Sequence, residues 1–130
     1  IADAVNTPQM IDEWKFKSIT QDILDINYEK HICEVWSVKN NRMSKPITDI
    51  PNTIINTSCE HIFDFEEWYD KIPKGKLIVV QSNNFFEVPG HVNCCETLED
   101  FAEQTPMDVA YEGTLELAKY DRCMRIGYKV

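Results

Sequence analysis

Glycine is scarce in this chain, and its placement says more than its number. The four glycines, Gly75, Gly90, Gly113 and Gly127, are isolated from one another and none precedes residue 75. A loop that cradles a phosphate or a nucleotide cofactor needs clustered glycines, so that backbone N–H groups can approach the ligand; the chain has no such loop of its own. Basic charge is also short. With 13 Lys and Arg against 22 Asp and Glu the net charge is -9, a field that opposes general nucleic-acid binding and anionic membranes. No apolar run approaches the roughly 18 residues of a membrane span. The five cysteines, Cys33, Cys59, Cys94, Cys95 and Cys123, are odd in number and irregularly spaced. They offer no Cys-x-x-Cys pair to begin a zinc site, and adjacent Cys94 and Cys95 do not readily bridge. Pairings of Cys59 with His61, or of His31 with Cys33, are too sparse to make a metal site. Reduced thiols and a cytoplasmic location are expected.

What the chain does contain is a pair of strand edges. Thr53 to Ile62, TIINTSCEHI, is an apolar β-branched run that ends in small polar residues and an acid-histidine pair. Lys76 to Phe86, KLIVVQSNNFF, repeats the design, opening into Gln81, Ser82, Asn83 and Asn84. Buried parallel strands look like this when they deliver polar groups to the carboxyl edge of an open α/β sheet, where ligands bind. Two such edges side by side suggest one site.

The 130 residues, 43% of them apolar, suffice for one domain with a core. Between the two edges, Phe65, Trp68, Tyr69 and Ile72 recur at spacings of three and four, predicting a helix over Phe63–Ile72 that Pro73 and Gly75 end. Thr97 and Asp100 form a capping-box pattern ahead of Leu98, Phe101 and Ala102, the inward face of a second helix. Val109–Leu117 and Cys123–Val130 predict two strands whose short connection requires an antiparallel pair. Alternation along the second puts Arg125 and Lys129 opposite Met124, Ile126 and Tyr128, and predicts that the cationic side is the solvated one. Upstream, Ala2–Ile11 fits the end of a helix, Trp14–Ile19 alternates as a strand, and Asp22 follows it. Residues 30–51 read as an insertion or long loop, with Cys33–Val38 a weak strand candidate.

An apolar strand before Glu60-His61, an acidic-aromatic helix, Pro73-Lys74-Gly75 ahead of the next strand, and a later Gly90-His91 together resemble the second half of a class I S-adenosylmethionine-dependent methyltransferase. The resemblance makes the Thr53 strand the fourth of that family's sheet and Leu77 to Gln81 the fifth. It implies an α/β fold: a partial Rossmann-like, mostly parallel sheet closed by a C-terminal antiparallel hairpin. It also implies that S-adenosylmethionine is bound by Asp22 and Ile23 near the adenine and by Asn56, Thr57 and Ser58. Without the glycine loop, and starting as Ile1 inside what resembles the helix after the second strand, the chain is expected to be a fragment of such a domain, inactive or weak in cofactor binding by itself. Losing the preceding strands would leave faces that favour a homo-oligomer.

Methyl transfer from a sulfonium depends on positioning and the exclusion of water more than on acid-base machinery. His61 could take a proton from a hydroxyl or amine acceptor, as imidazoles do near neutral pH, and Glu60 could orient it; equally, the two could form only the first turn of a helix. Gln81, Asn83, Asn84 and His91 are candidate acceptor contacts, with Phe85 and Phe86 beside them, although an Asn-Asn pair is also turn chemistry and aromatics are also core. Asp22 could hold a ligand or cap the helical turn after it. The rival classes are a non-catalytic α/β interaction domain that self-associates and a nucleotide-binding oxidoreductase half.

Overall fold

The computed structural model describes residues 18–37 and 40–130, which fall into two compact units divided between Ile50 and Pro51. The helix expected over Ala2–Ile11, and most of the strand expected at Trp14–Ile19, lie outside the described residues. In the first unit Asp22 precedes a 3-10 turn, η1 (Ile23–Asp25), and its carboxylate accepts the Leu24 N–H at 2.9 Å. That is N-cap chemistry: a short side-chain acceptor satisfies a donor that the turn itself cannot. Four short strands follow. β1 (His31–Cys33) pairs antiparallel with β4 (Ile47–Asp49), and β2 (Trp36–Ser37) with β3 (Arg42–Met43). The stretch from Cys33 to Val38 is therefore not one strand. It breaks at Val35, whose backbone bonds to Ser44 on both sides, N–H to Oγ at 3.1 Å and C=O from the Ser44 N–H at 2.8 Å.

The second unit is a four-stranded mixed sheet in the order β5-β6-β8-β7, with β5 (Thr53–Asn56), β6 (Leu77–Asn83), β7 (Met107–Glu116) and β8 (Asp121–Lys129). β5 and β6 are parallel, Ile54 beside Ile78. A parallel pair needs a crossover, and α1 (Phe65–Asp70) lies within it. α2 (Leu98–Gln104) lies between β6 and β7 and carries the expected capping box: Thr97 Oγ1 accepts the Asp100 N–H at 3.1 Å, and Asp100 accepts the Thr97 N–H at 3.1 Å. The α/β class and the terminal antiparallel hairpin match the sequence pattern. A mostly parallel sheet does not: among the described residues one of this sheet's three pairings is parallel, because β8 turns back between β6 and β7.

One face of the sheet is covered. Ile54, Ile78 and Val80 point to the side where α1 and α2 bring Phe65, Trp68, Tyr69, Ile72 and Phe101, all buried. Phe65 links the two helices, its ring centroid 5.3 Å from that of Trp68 and 6.5 Å from that of Phe101. Each such side chain contributes about 1.5–3 kcal/mol by leaving water. On this face lie Arg125 and Lys129, so the expected orientation of β8 is reversed. The alternation is right and the buried side is wrong: Arg125 and Lys129 are only 5% and 9% exposed, whereas Tyr128 is 49% exposed.

The reason is pairing that local sequence does not display. The Arg125 Nε donates to Glu112 Oε2 at 2.9 Å, and its Nη1 donates to the Ala102 and Thr105 carbonyls and to Thr105 Oγ1 at 2.8 Å. A guanidinium has enough donors to cap the carbonyl end of α2 while holding a carboxylate, and its positive charge suits that end of the helix dipole. The Lys129 ammonium lies 3.8 Å from the Tyr69 ring centroid and 3.8 Å from Asp70, a cation–π contact backed by an ion pair. Gly127, between them, faces a bulge in β7 at Val109/Tyr111. A Cβ there would drive into the Asp108 backbone carbonyl.

Replacing Arg125 by Ala would strand buried carbonyls and remove the cap of a seven-residue helix, so unfolding free energy should fall by about 3 kcal/mol in urea titration. Arg125→Lys should restore only part of it, because one ammonium cannot reproduce the fork. A loss under about 1 kcal/mol for Arg125→Ala would show that the guanidinium is not needed.

Candidate functional site

The parallel pairing of β5 with β6 sets their carboxyl ends side by side. Beyond β5 the chain makes a tight turn: Asn56 Oδ1 accepts the Ser58 N–H at 3.0 Å, leaving Thr57 and Ser58 exposed, and η2 (Cys59–His61) begins. Beyond β6, residues 84–97 loop across to meet η2. The N–H groups of Val92 and Asn93 both donate to the Glu60 carbonyl, at 2.9 and 3.0 Å. Asn93 Nδ2 reaches the Cys59 carbonyl at 3.4 Å and Gln104 Oε1 at 3.0 Å. The loop and η2 are thus one bonded body, anchored to α2.

Three chemistry-bearing side chains converge there. Glu60, His61 and His91 each place a potential ligand atom within 4.8 Å of the others. Glu60 is buried, its side chain 4% exposed, while half of His61 is open to solvent. His61 Nδ1 lies 3.0 Å from the Gly90 carbonyl and His91 Nδ1 lies 2.7 Å from the Phe85 carbonyl. A carbonyl only accepts, so each Nδ1 carries a proton, and in the neutral imidazole the lone pair is on Nε2. Gly90 has φ +87°, a left-handed turn that glycine adopts without strain and that presents its carbonyl to His61. The two imidazoles meet edge to face, centroids 4.6 Å apart. His61 Nε2 is 3.9 Å from Glu60 Oε1, and Arg122 Nη2 is 3.8 Å from the same oxygen. Neither is a hydrogen bond. Glu60 Oε2 and Arg122 Nε are buried without a partner.

The other expected contacts divide. Gln81 is half-buried on β6. Asn83 is buried, its Oδ1 accepting the Phe85 N–H at 3.0 Å, and Asn84 pins the start of β8 by accepting the Asp121 N–H at 2.7 Å. Their amides are committed within the protein, the turn chemistry that the Asn-Asn pair also allowed. Phe85 stacks on Tyr120 at 5.1 Å, and Phe86 is exposed. Asp22 and Ile23 belong to the first unit, where Asp22 caps η1. Arg122 is the site residue that sequence reasoning missed. Its signal is the β6–β8 register, which pairs it with Asn83 and which no local pattern reveals.

Comparison with known proteins adds no family. No family model, curated protein or solved structure matches the chain. No helix among the described residues is long and apolar enough to cross a membrane.

The thiols around the site are not activated. Burial pushes Cys59 and Cys94 up from the ordinary 9.0 and Cys95 to about 11; it also raises Cys123, and Tyr69 from 10.0 to about 12. These groups stay protonated in the folded chain at pH values where the unfolded chain has released their protons. Stability is therefore fully present below about pH 9 and falls as pH rises through the raised values. Lys129 acts in the opposite sense, because burial lowers its pKa below 10.5 despite the help of Asp70, but it is one group against five. The urea midpoint should hold steady up to about pH 8.5 and drop beyond it. A midpoint unchanged at pH 10.5 would mean that these protons are not retained.

Proposed function

We propose that this chain forms the acceptor side of a methyl-transfer site of the S-adenosylmethionine-dependent kind, within a partial Rossmann-like sheet. The observation that carries the reading is the adjacency of two parallel strand ends, β5 and β6, with polar side chains and His61 gathered at their carboxyl edge. The antiparallel hairpin β7–β8 on the far side of β6 supports it. A hydroxyl or amine acceptor set against His61 Nε2 would find a lone pair there, and the imidazolium formed by taking its proton would face Glu60 Oε1, 3.9 Å away. Bringing the acceptor and this base together is the larger part of what such a reaction asks of a protein.

For the cofactor the fit is partial. Thr57 and Ser58 are exposed and polar at the strand edge, suited to touching a ribose or amino-acid moiety. Among the described residues no cradle accompanies them: Gly90 has its carbonyl engaged by His61, and Gly75 lies before β6, at the opposite end of that strand. Affinity of residues 1–130 for S-adenosylhomocysteine should therefore be weak, and its amide chemical-shift changes at millimolar ligand should cluster at Asn56–His61 and Gln81–Asn84. Changes spread elsewhere, or none, would remove the reading; micromolar affinity would show that another segment supplies the cradle.

A second reading, a self-associating interaction domain, is favoured by the sheet's other face. Ile55, Val79, Ile126 and Tyr111 stand in register across all four strands, with Ile55 66% and Tyr111 54% exposed. Adjacent exposed apolar side chains across a sheet are a docking surface. The net charge of -9 opposes pairing, but it is screened over about 8 Å at physiological salt. Light scattering after size exclusion should show mass rising with concentration, and Ile55→Glu should abolish the rise. A monomer at every concentration removes this reading and leaves the first untouched.

A further inference from the structure

The cluster of Glu60, His61 and His91 has the features of a cation site. First, both histidines are prepared in one tautomer, each Nδ1–H donated to a backbone carbonyl, Gly90 at 3.0 Å and Phe85 at 2.7 Å. Metal-binding imidazoles are oriented in this way, the second nitrogen fixed by an acceptor and the lone pair left free on the first. Second, Glu60 Oε2 is buried without a hydrogen-bond partner, on a side chain only 4% exposed. A buried carboxylate oxygen without a donor is costly, and the Arg122 guanidinium approaches the other oxygen, Oε1, at 3.8 Å. Third, ligand-capable atoms of all three residues already lie within 4.8 Å of one another.

We propose that Glu60, His61 and His91 bind a single divalent first-row transition cation, zinc being the natural occupant for two imidazoles and one carboxylate. Donors about 2.0–2.2 Å from zinc lie roughly 3.3 Å apart, so separations of up to 4.8 Å must contract by up to about 1.5 Å. The half-exposed ring of His61 can make that movement. Three protein ligands leave coordination positions open toward solvent, so an acceptor hydroxyl or water could reach the ion and be polarised there. The Arg122 guanidinium, 3.8 Å from Glu60 Oε1, competes for the carboxylate and holds the expected affinity to the micromolar range. The proposal concerns cation binding alone and stands whether or not the chain serves methyl transfer; with the ion on His61 Nε2 that lone pair is occupied, and the ion rather than His61 would polarise an acceptor.

The test is titration of the 130-residue chain with cobalt(II), followed by absorption, and competition with zinc. The expected result is one ion per chain, weak d–d bands without a sulfur-to-cobalt charge-transfer band, and displacement by zinc. Affinity should fall at least tenfold in His61→Ala and in His91→Ala, with far-UV circular dichroism unchanged. Should His91→Ala unfold, His61→Ala decides, since that side chain is half exposed. No binding below millimolar cobalt or zinc, equal affinity in His61→Ala, or a sulfur charge-transfer band would each overturn the proposal.

Discussion

The second unit depends on one buried guanidinium. Arg125 reaches across the sheet to Glu112 on β7 and outward to the carbonyl end of α2 at Ala102 and Thr105. A helix of seven residues is far below the length at which helices persist in water, so its position comes from tertiary contacts. Phe101 supplies the apolar contact and Arg125 the polar one. From α2 the order passes to the site: Gln104 Oε1 accepts from Asn93 Nδ2, which also donates to the Cys59 carbonyl, while the Asn93 N–H binds the Glu60 carbonyl. The geometry of η2 is thus tied, bond by bond, to the residue that fixes α2 on the sheet.

That dependence explains the polar character of the strand ends. Residues at the carboxyl edge leave the ladder, and their backbone groups need other partners. Asn56, Asn83 and Asn84 supply them with side-chain amides, bonding Ser58, Phe85 and Asp121. What looks in sequence like a row of ligand contacts is in large part scaffolding for the loop that carries His91. The side-chain ends that this scaffold leaves over are the Nε2 atoms of His61 and His91 and the Glu60 carboxylate.

Much of this architecture was legible because it is local. The apolar runs of β5 and β6, the stripe of Phe65, Trp68, Tyr69 and Ile72, the Thr97–Asp100 box and the final hairpin all appear within windows of a few residues, where periodicity speaks directly. The polar strand edges and the Glu60-His61 pair were legible on the same grounds. The buried side of β8 was not. A binary pattern assigns Arg and Lys to solvent, whereas Arg125 and Lys129 are buried by Glu112, the α2 carbonyls and Tyr69, partners separated in sequence and joined only by register. His91 joins His61 across 30 residues for the same reason, through a loop whose shape depends on Gly90 and Phe85 carbonyls. The short ladders between His31 and Asp49 are too brief to carry a period.

Glu60 is where these constraints fail to cancel. A buried carboxylate is tolerated when its partners are close and its lone pairs filled, yet Arg122 stands off at 3.8 Å and each of the two residues keeps one buried polar atom unpaired. An apolar side chain of similar size would stabilise the same position at least as well, so packing gives no reason for the pair. A ligand that set positive charge on Oε2 and an oxygen against Arg122 Nε would satisfy both atoms at once, and a hydrated or acceptor-bound cation is the simplest object that presents the two together.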